Sequence, residues 1–177
     1  LDEAKKRSGI VQKARANIDV EFINPFLTAT KKALEIQANT PLKPLKPFLK
    51  KEANKNIAIA GVISLISDKF NGSITLCFPS EVFLKIYENM FGEKHSVISK
   101  ELEDAAGELL NIIYGQAKIE LNSKAGYDLK KALPTVLTGE RINVSQQGRV
   151  PTVVLPFETD AGVFHIDEKV HRPEMGN

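Results

Sequence analysis

The sequence predicts an α+β fold in which long helices pack against antiparallel strands, and three observations carry that expectation. Two long segments repeat apolar residues at helical spacing. Two β-branched runs, "NIAIAGVISLIS" and "SITLCF", flank the turn-forming "DKFNG" as the arms of a hairpin do. The order helix, then strands, is followed by a short helix, a long helix and more strands, so it is nearly repeated. Helices gathered between runs of strands argue for helices on one side of antiparallel sheet. The repetition reads as a pseudo-duplicated unit of one helix and three antiparallel strands.

The elements follow in order. Residues 1–18 are charged and weakly periodic, as a frayed helix or a linker would be. In "NPF", Asn24 suits an N-cap and Pro25 the first helical position, so the first helix is expected to start there and run to about Ala38. "PLKPLKPFLK" carries three prolines, which restrict a strand to an edge or a bulge. After the hairpin, Ser80 opens a short helix that Gly92 closes. Ser99 opens the second long helix, expected to reach about Lys124 with Gly126 as its stop. The remaining strand candidates are "LKKALPTVLTG", "RINVSQ", "PTVVLPFE" and "VFHIDEKV". Domain boundaries are set at 19–168, between a charged extension at 1–18 and a tail at 169–177.

Composition narrows the functional classes. Twenty-four Lys and Arg stand against 22 Asp and Glu, and a net charge of +2 makes no field that argues for nucleic acid. The single Cys77 excludes an internal disulfide; lying in an apolar run, it reads as a small buried hydrophobe and fits a reducing compartment. No apolar stretch is long enough to span a bilayer, and the first residues lack the apolar centre of a signal peptide, so a cytoplasmic location is expected. His95, His165 and His171 lie far apart in sequence, form no ligand-like spacing with Cys77 and are read as surface residues, so no metal site is expected.

The second long helix holds the sequence's chemical signal. At 3.6 residues per turn, Glu101, Asp104, Glu108, Asn111, Gly115, Lys118 and Asn122 share one face, while Leu102, Ala105, Leu109, Ile112 and Ile113 lie on the other. A solvated helix face accounts for such a stripe without any function. Yet Asn is a weak helix former in mid-helix, and a carboxylate and an amide three residues apart offer an anion and a donor–acceptor side by side.

Asp104, three residues, Glu108, two residues, Asn111, then 22 residues to Pro134 resembles the signature of the CheC, CheX and FliY phosphatases of bacterial chemotaxis. The words "EFINPFLTATKKAL", "GELLNIIYGQAKIEL", "LPTVLTG" and "LPFETDAG" are similar to CheX in particular. The resemblance implies the CheC/CheX-like fold, homodimerisation, and dephosphorylation of the phospho-aspartate of a CheY-type response regulator. It assigns Glu108 to docking on the receiver's lysine and Asn111 to positioning the attacking water, with Asp104 and Pro134 in support. It also implies that Mg²⁺ comes with the receiver domain and that this chain binds no cofactor.

A second copy of the spacing, Glu21, two residues, Asn24, then 22 residues to Pro47, lies in the first half. With Asn24 as an N-cap, Glu21 falls outside the helix and the pair shares no face, so this copy is expected to be degenerate and structural. Lysines 43, 46, 50, 51 and 55 are read as guards of an edge strand, or else as a field that steers an acidic receiver. The alternative function is a non-catalytic, dimeric receiver-binding module within a larger signalling protein. A switch component like FliY is the third reading.

Overall fold

A computed structural model of the chain describes the backbone of residues 2–124, 126–144 and 150–171, and side chains from Val20 onward within those ranges. Helix α1 (Asp2–Ala38) is followed by the two-residue strands β1 (Lys43–Pro44) and β2 (Phe48–Leu49), and by the hairpin β3 (Ile57–Ile66) and β4 (Asn71–Pro79). Helices α2 (Ser80–Phe91) and α3 (Lys100–Asn122) come next, then β5 (Thr135–Thr138), β6 (Val153–Thr159) and β7 (Gly162–His171). All seven strands join one antiparallel sheet in the order β1-β6-β7-β4-β3-β5, with β2 also on β6. The fold is thus α+β, with helices and antiparallel strands in the expected order.

Strand alternation sorts the side chains of the sheet. Ile59, Ile63, Ile74, Leu76, Phe78, Phe164 and Ile166 join Phe26 and Leu34 of α1 and Leu109, Leu110 and Ile113 of α3 in one buried core. Gly61 of β3 lets α3 close on the sheet, since a Cβ there would lie 2.9 Å from a methyl carbon of Leu110. Gly92 ends α2 at φ 70° with its N–H on the Glu88 carbonyl, and Ser99 stands at the N-cap of α3, both as the sequence indicates. On the other sheet face, Cys77, Ile57 and Ala60 form a smaller cluster under Ile142 and Val144. No helix among the described residues is long and apolar enough to cross a membrane.

Three expectations need correction. Helix α1 does not start at Asn24; it runs unbroken from Asp2 with Pro25 in its interior. Proline in mid-helix costs about 3 kcal/mol. Phe22 and Phe26, both buried on either side of Pro25 with ring centroids 5.2 Å apart, offset this, at about 1.5–3 kcal/mol each for full burial. The segment "RINVSQ" forms no strand over its described residues 141–144; instead Gly139 and Ile142 donate singly to the carbonyls of Ala58 and Ile57. Its last two residues lie outside the described residues. Helix α3 ends at Asn122, with Ser123 as its C-cap, before Gly126 turns at φ 100°.

Candidate active site

The α3 stripe is built on a helix anchored at both ends and along one side. Leu102, Leu109, Leu110, Ile113, Ala117 and Leu121 are buried, which fixes the rotation of the helix and turns Asp104, Glu108 and Asn111 to solvent. Glu103 accepts a hydrogen bond from the Thr138 hydroxyl at 2.7 Å, tying α3 to the edge strand β5. Gly107 faces the same strand: a Cβ there would lie 3.3 Å from Cγ2 of Val136 and 3.9 Å from Cγ of Pro134. Pro134 thus lies beside α3 at Gly107, one residue before Glu108.

The polar residues of α3 divide into committed and free. Asn122 grips Leu129 with both arms of its amide, Nδ2 donating to the carbonyl at 3.0 Å and Oδ1 accepting from the N–H at 2.7 Å. The Tyr114 hydroxyl donates to the Lys130 carbonyl. Among the described residues, by contrast, no hydrogen bond or ion pair occupies the side chains of Asp104, Glu108 or Asn111. Gly115, one turn past Asn111, has open space where a Cβ would be. The stripe is therefore an anion, an amide and a notch presented together on a rigid helix, and Asn122, which the periodicity places in it, belongs to the scaffold.

The second copy also needs correction. Because α1 passes straight through Pro25, Glu21 and Asn24 both lie on the helix, both are exposed, and at i, i+3 they share a face. Asn24 caps nothing. The Glu21 carboxylate accepts from the Tyr127 hydroxyl at 3.2 Å, so this copy, unlike Glu108, has its anion engaged within the chain.

The family model described as chemotaxis phosphatase CheX matches residues 59–158, a span that takes in the hairpin, α3 and Pro134. The chain belongs to the CheX family. A CheC-like superfamily protein from Shewanella sp. PV-4 is 34% identical over 86% of this chain and 98% of its own, with a TM-score of 0.80. Chemotaxis protein CheX from Vibrio vulnificus is 30% identical over 85% of this chain and 99% of its own, at 0.79. A CheX from Borrelia burgdorferi, solved in complex with CheY, BeF3 and Mg²⁺, shares the fold at 22% identity and a TM-score of 0.73 over 85% of this chain and 98% of that one. No curated protein sequence matches the chain.

One cluster escaped the sequence reading. His165 is not a surface residue: pairing of β4 with β7 sets it opposite Cys77, and the side chain is only 16% exposed. Asp167 lies beside it, and Lys50 and Asn54 bond to that carboxylate at 2.9 and 3.2 Å. The expectation that no histidine clusters with Cys77 is overturned, because the strand register that joins them is not a local property of either segment.

Proposed function

We propose that this CheX-family chain hydrolyses the phospho-aspartate of a CheY-type receiver domain, docking through Glu108 and positioning the attacking water through Asn111. The observation that carries the reading is the contrast along α3. Glu103, Tyr114 and Asn122 spend their polar atoms inside the chain, whereas Glu108 and Asn111 are exposed, unengaged and one turn apart. The Borrelia relative solved with CheY, BeF3 and Mg²⁺ supports a receiver as the partner. Exposed Ile119 and Leu133 add apolar surface that a docked partner would cover.

Hydrolysis of an acyl phosphate needs a water in line with the bond that breaks, and little covalent chemistry from the protein. The Glu108 carboxylate would hold the cationic receiver group, setting the depth at which α3 docks. The Asn111 amide can accept from the water with its oxygen while donating to a phosphoryl oxygen with its nitrogen. The water oxygen bonds to phosphorus, the phosphorus–carboxylate bond breaks, and the aspartate leaves as its carboxylate with the water protons passing to phosphate and solvent. Mg²⁺ held by the receiver neutralises phosphoryl charge. Homodimerisation belongs to the same proposal, with β5 and the β1/β2 side as the free edges of the sheet, as does a cytoplasmic setting.

Binding of a beryllofluoride-activated receiver separates the two roles. Glu108→Ala should weaken binding at least tenfold, while Asn111→Ala should bind within about twofold of the parent, as expected for a residue whose interaction is made in the transition state. Equal loss of binding in both variants would overturn the division of labour.

A further inference from the structure

Cys77 and His165 are register partners on β4 and β7, and Asp167 follows two residues along β7, so all three project from one face of the sheet. That face is the one turned away from α3, since the intervening Leu76 and Ile166 lie in the helix-side core. The ligand atoms of the three side chains all lie within 4.8 Å of one another. We infer that Cys77, His165 and Asp167 form a zinc-binding site that clamps β4 to β7 behind the sheet.

Geometry and donor chemistry support the choice of metal. Nε2 of His165 and Oδ1 of Asp167 are 3.4 Å apart. Two ligands bound tetrahedrally at about 2.0–2.1 Å are separated by roughly 3.3–3.4 Å, so this pair already stands at zinc-ligand spacing. The sulfur must close by at most about 1.2 Å to join them at a Zn–S distance near 2.3 Å. Asp167 is 6% exposed, and its Oδ1 has no hydrogen-bond partner although Oδ2 has two. A buried carboxylate oxygen without a hydrogen-bond donor is costly, and here it lies 3.4 Å from Nε2 of His165.

Asn54 and Lys50 form the surround. The Asn54 amide nitrogen bonds both Oδ2 of Asp167 and, at 3.8 Å, Sγ of Cys77, while its oxygen lies 3.2 Å from Nε2 of His165. In the metal-free chain that oxygen accepts from Nε2–H, and metal binding at Nε2 leaves the ring proton on Nδ1. A mixed sulfur, nitrogen and oxygen set suits zinc and excludes Mg²⁺ and Ca²⁺, which take oxygen. Burial and the Asp167 charge push the Cys77 thiol well up, so it is protonated in the metal-free chain. Binding then forms the Zn–S bond as the thiol proton leaves to solvent, so that thiolate and carboxylate bring two negative charges to a site holding the metal and the Lys50 ammonium. A cavity of about 20 Å³ bordering Asp167, Thr75 and Lys50 has room for one water beside the site.

The test uses the tag-free full chain, stripped with chelator and titrated with Zn²⁺ alone. One zinc per chain after gel filtration is expected, with a thermal midpoint that rises with Zn²⁺ concentration. Co²⁺ in its place should give the near-ultraviolet charge-transfer band of a thiolate ligand. Cys77→Ala should abolish that band, and His165→Gln should weaken zinc binding at least tenfold. A second cluster, Glu93, His95 and Glu101, serves as the control, and His95→Gln should leave stoichiometry unchanged. If Cys77→Ala lowers the midpoint even in chelator, His165→Gln decides alone. Absence of stoichiometric zinc, or zinc that His165→Gln retains and His95→Gln loses, would overturn the site.

Discussion

Two asparagines on the same face of α3 should respond to alanine in opposite ways. Asn122 holds both the N–H and the carbonyl of Leu129, and each such bond contributes about 1 kcal/mol net. Asn122→Ala should therefore destabilise the chain by about 2 kcal/mol, which for a protein of this size lowers the thermal midpoint by about 4–8 °C. Asn111 is exposed and unbonded among the described residues, and replacing it by the best helix former removes a propensity cost of about 0.6 kcal/mol. Asn111→Ala should raise the midpoint by about 1–2 °C. Differential scanning calorimetry on both variants, with urea midpoints at constant slope as a second readout, measures the pair. An Asn111→Ala variant that melts several degrees below the parent would mean that the amide is structural, and the assignment of a free catalytic group would fail with it.

Other outcomes follow from the same contacts. Gly107→Val would press its branched carbons on Val136 and Pro134, and should cost about 1–3 kcal/mol in a urea titration. Lys50→Ala strips the cation from the buried Asp167 carboxylate and should destabilise the metal-free chain by about 3 kcal/mol, whereas the same change at exposed Lys55, 3.8 Å from Glu52, should stay within about 0.5 kcal/mol. Because Cys77 is fully buried and its thiol is held protonated, a thiol reagent should leave the native chain unlabelled and react stoichiometrically in urea.

How much of this was legible beforehand depends on the range of the forces involved. Gly92, Ser99 and the β3–β4 hairpin are governed by neighbours in sequence, and they stand where those local signals place them. The face of α3 was readable because helical spacing alone places Glu108 and Asn111 together. Pro25 misled because its local preference for a helix start is outweighed by the burial of Phe22 and Phe26, which only the packed core supplies. The role of Asn122 depends on where the chain returns after α3, and the meeting of Cys77 with His165 depends on the register of β4 with β7. Neither is encoded in a short window. On α3 the space beside Gly107 is taken by β5, whereas Gly115 leaves an open notch.

The central claim is tested most directly by following phosphate release from the phosphorylated cognate receiver in the presence of Mg²⁺, alone, with the parent chain, and with Asn111→Ala. The account predicts acceleration by the parent and decay at the unassisted rate with the variant, at concentrations where both are bound. Unassisted decay with the bound parent chain, or full acceleration by Asn111→Ala, would contradict it.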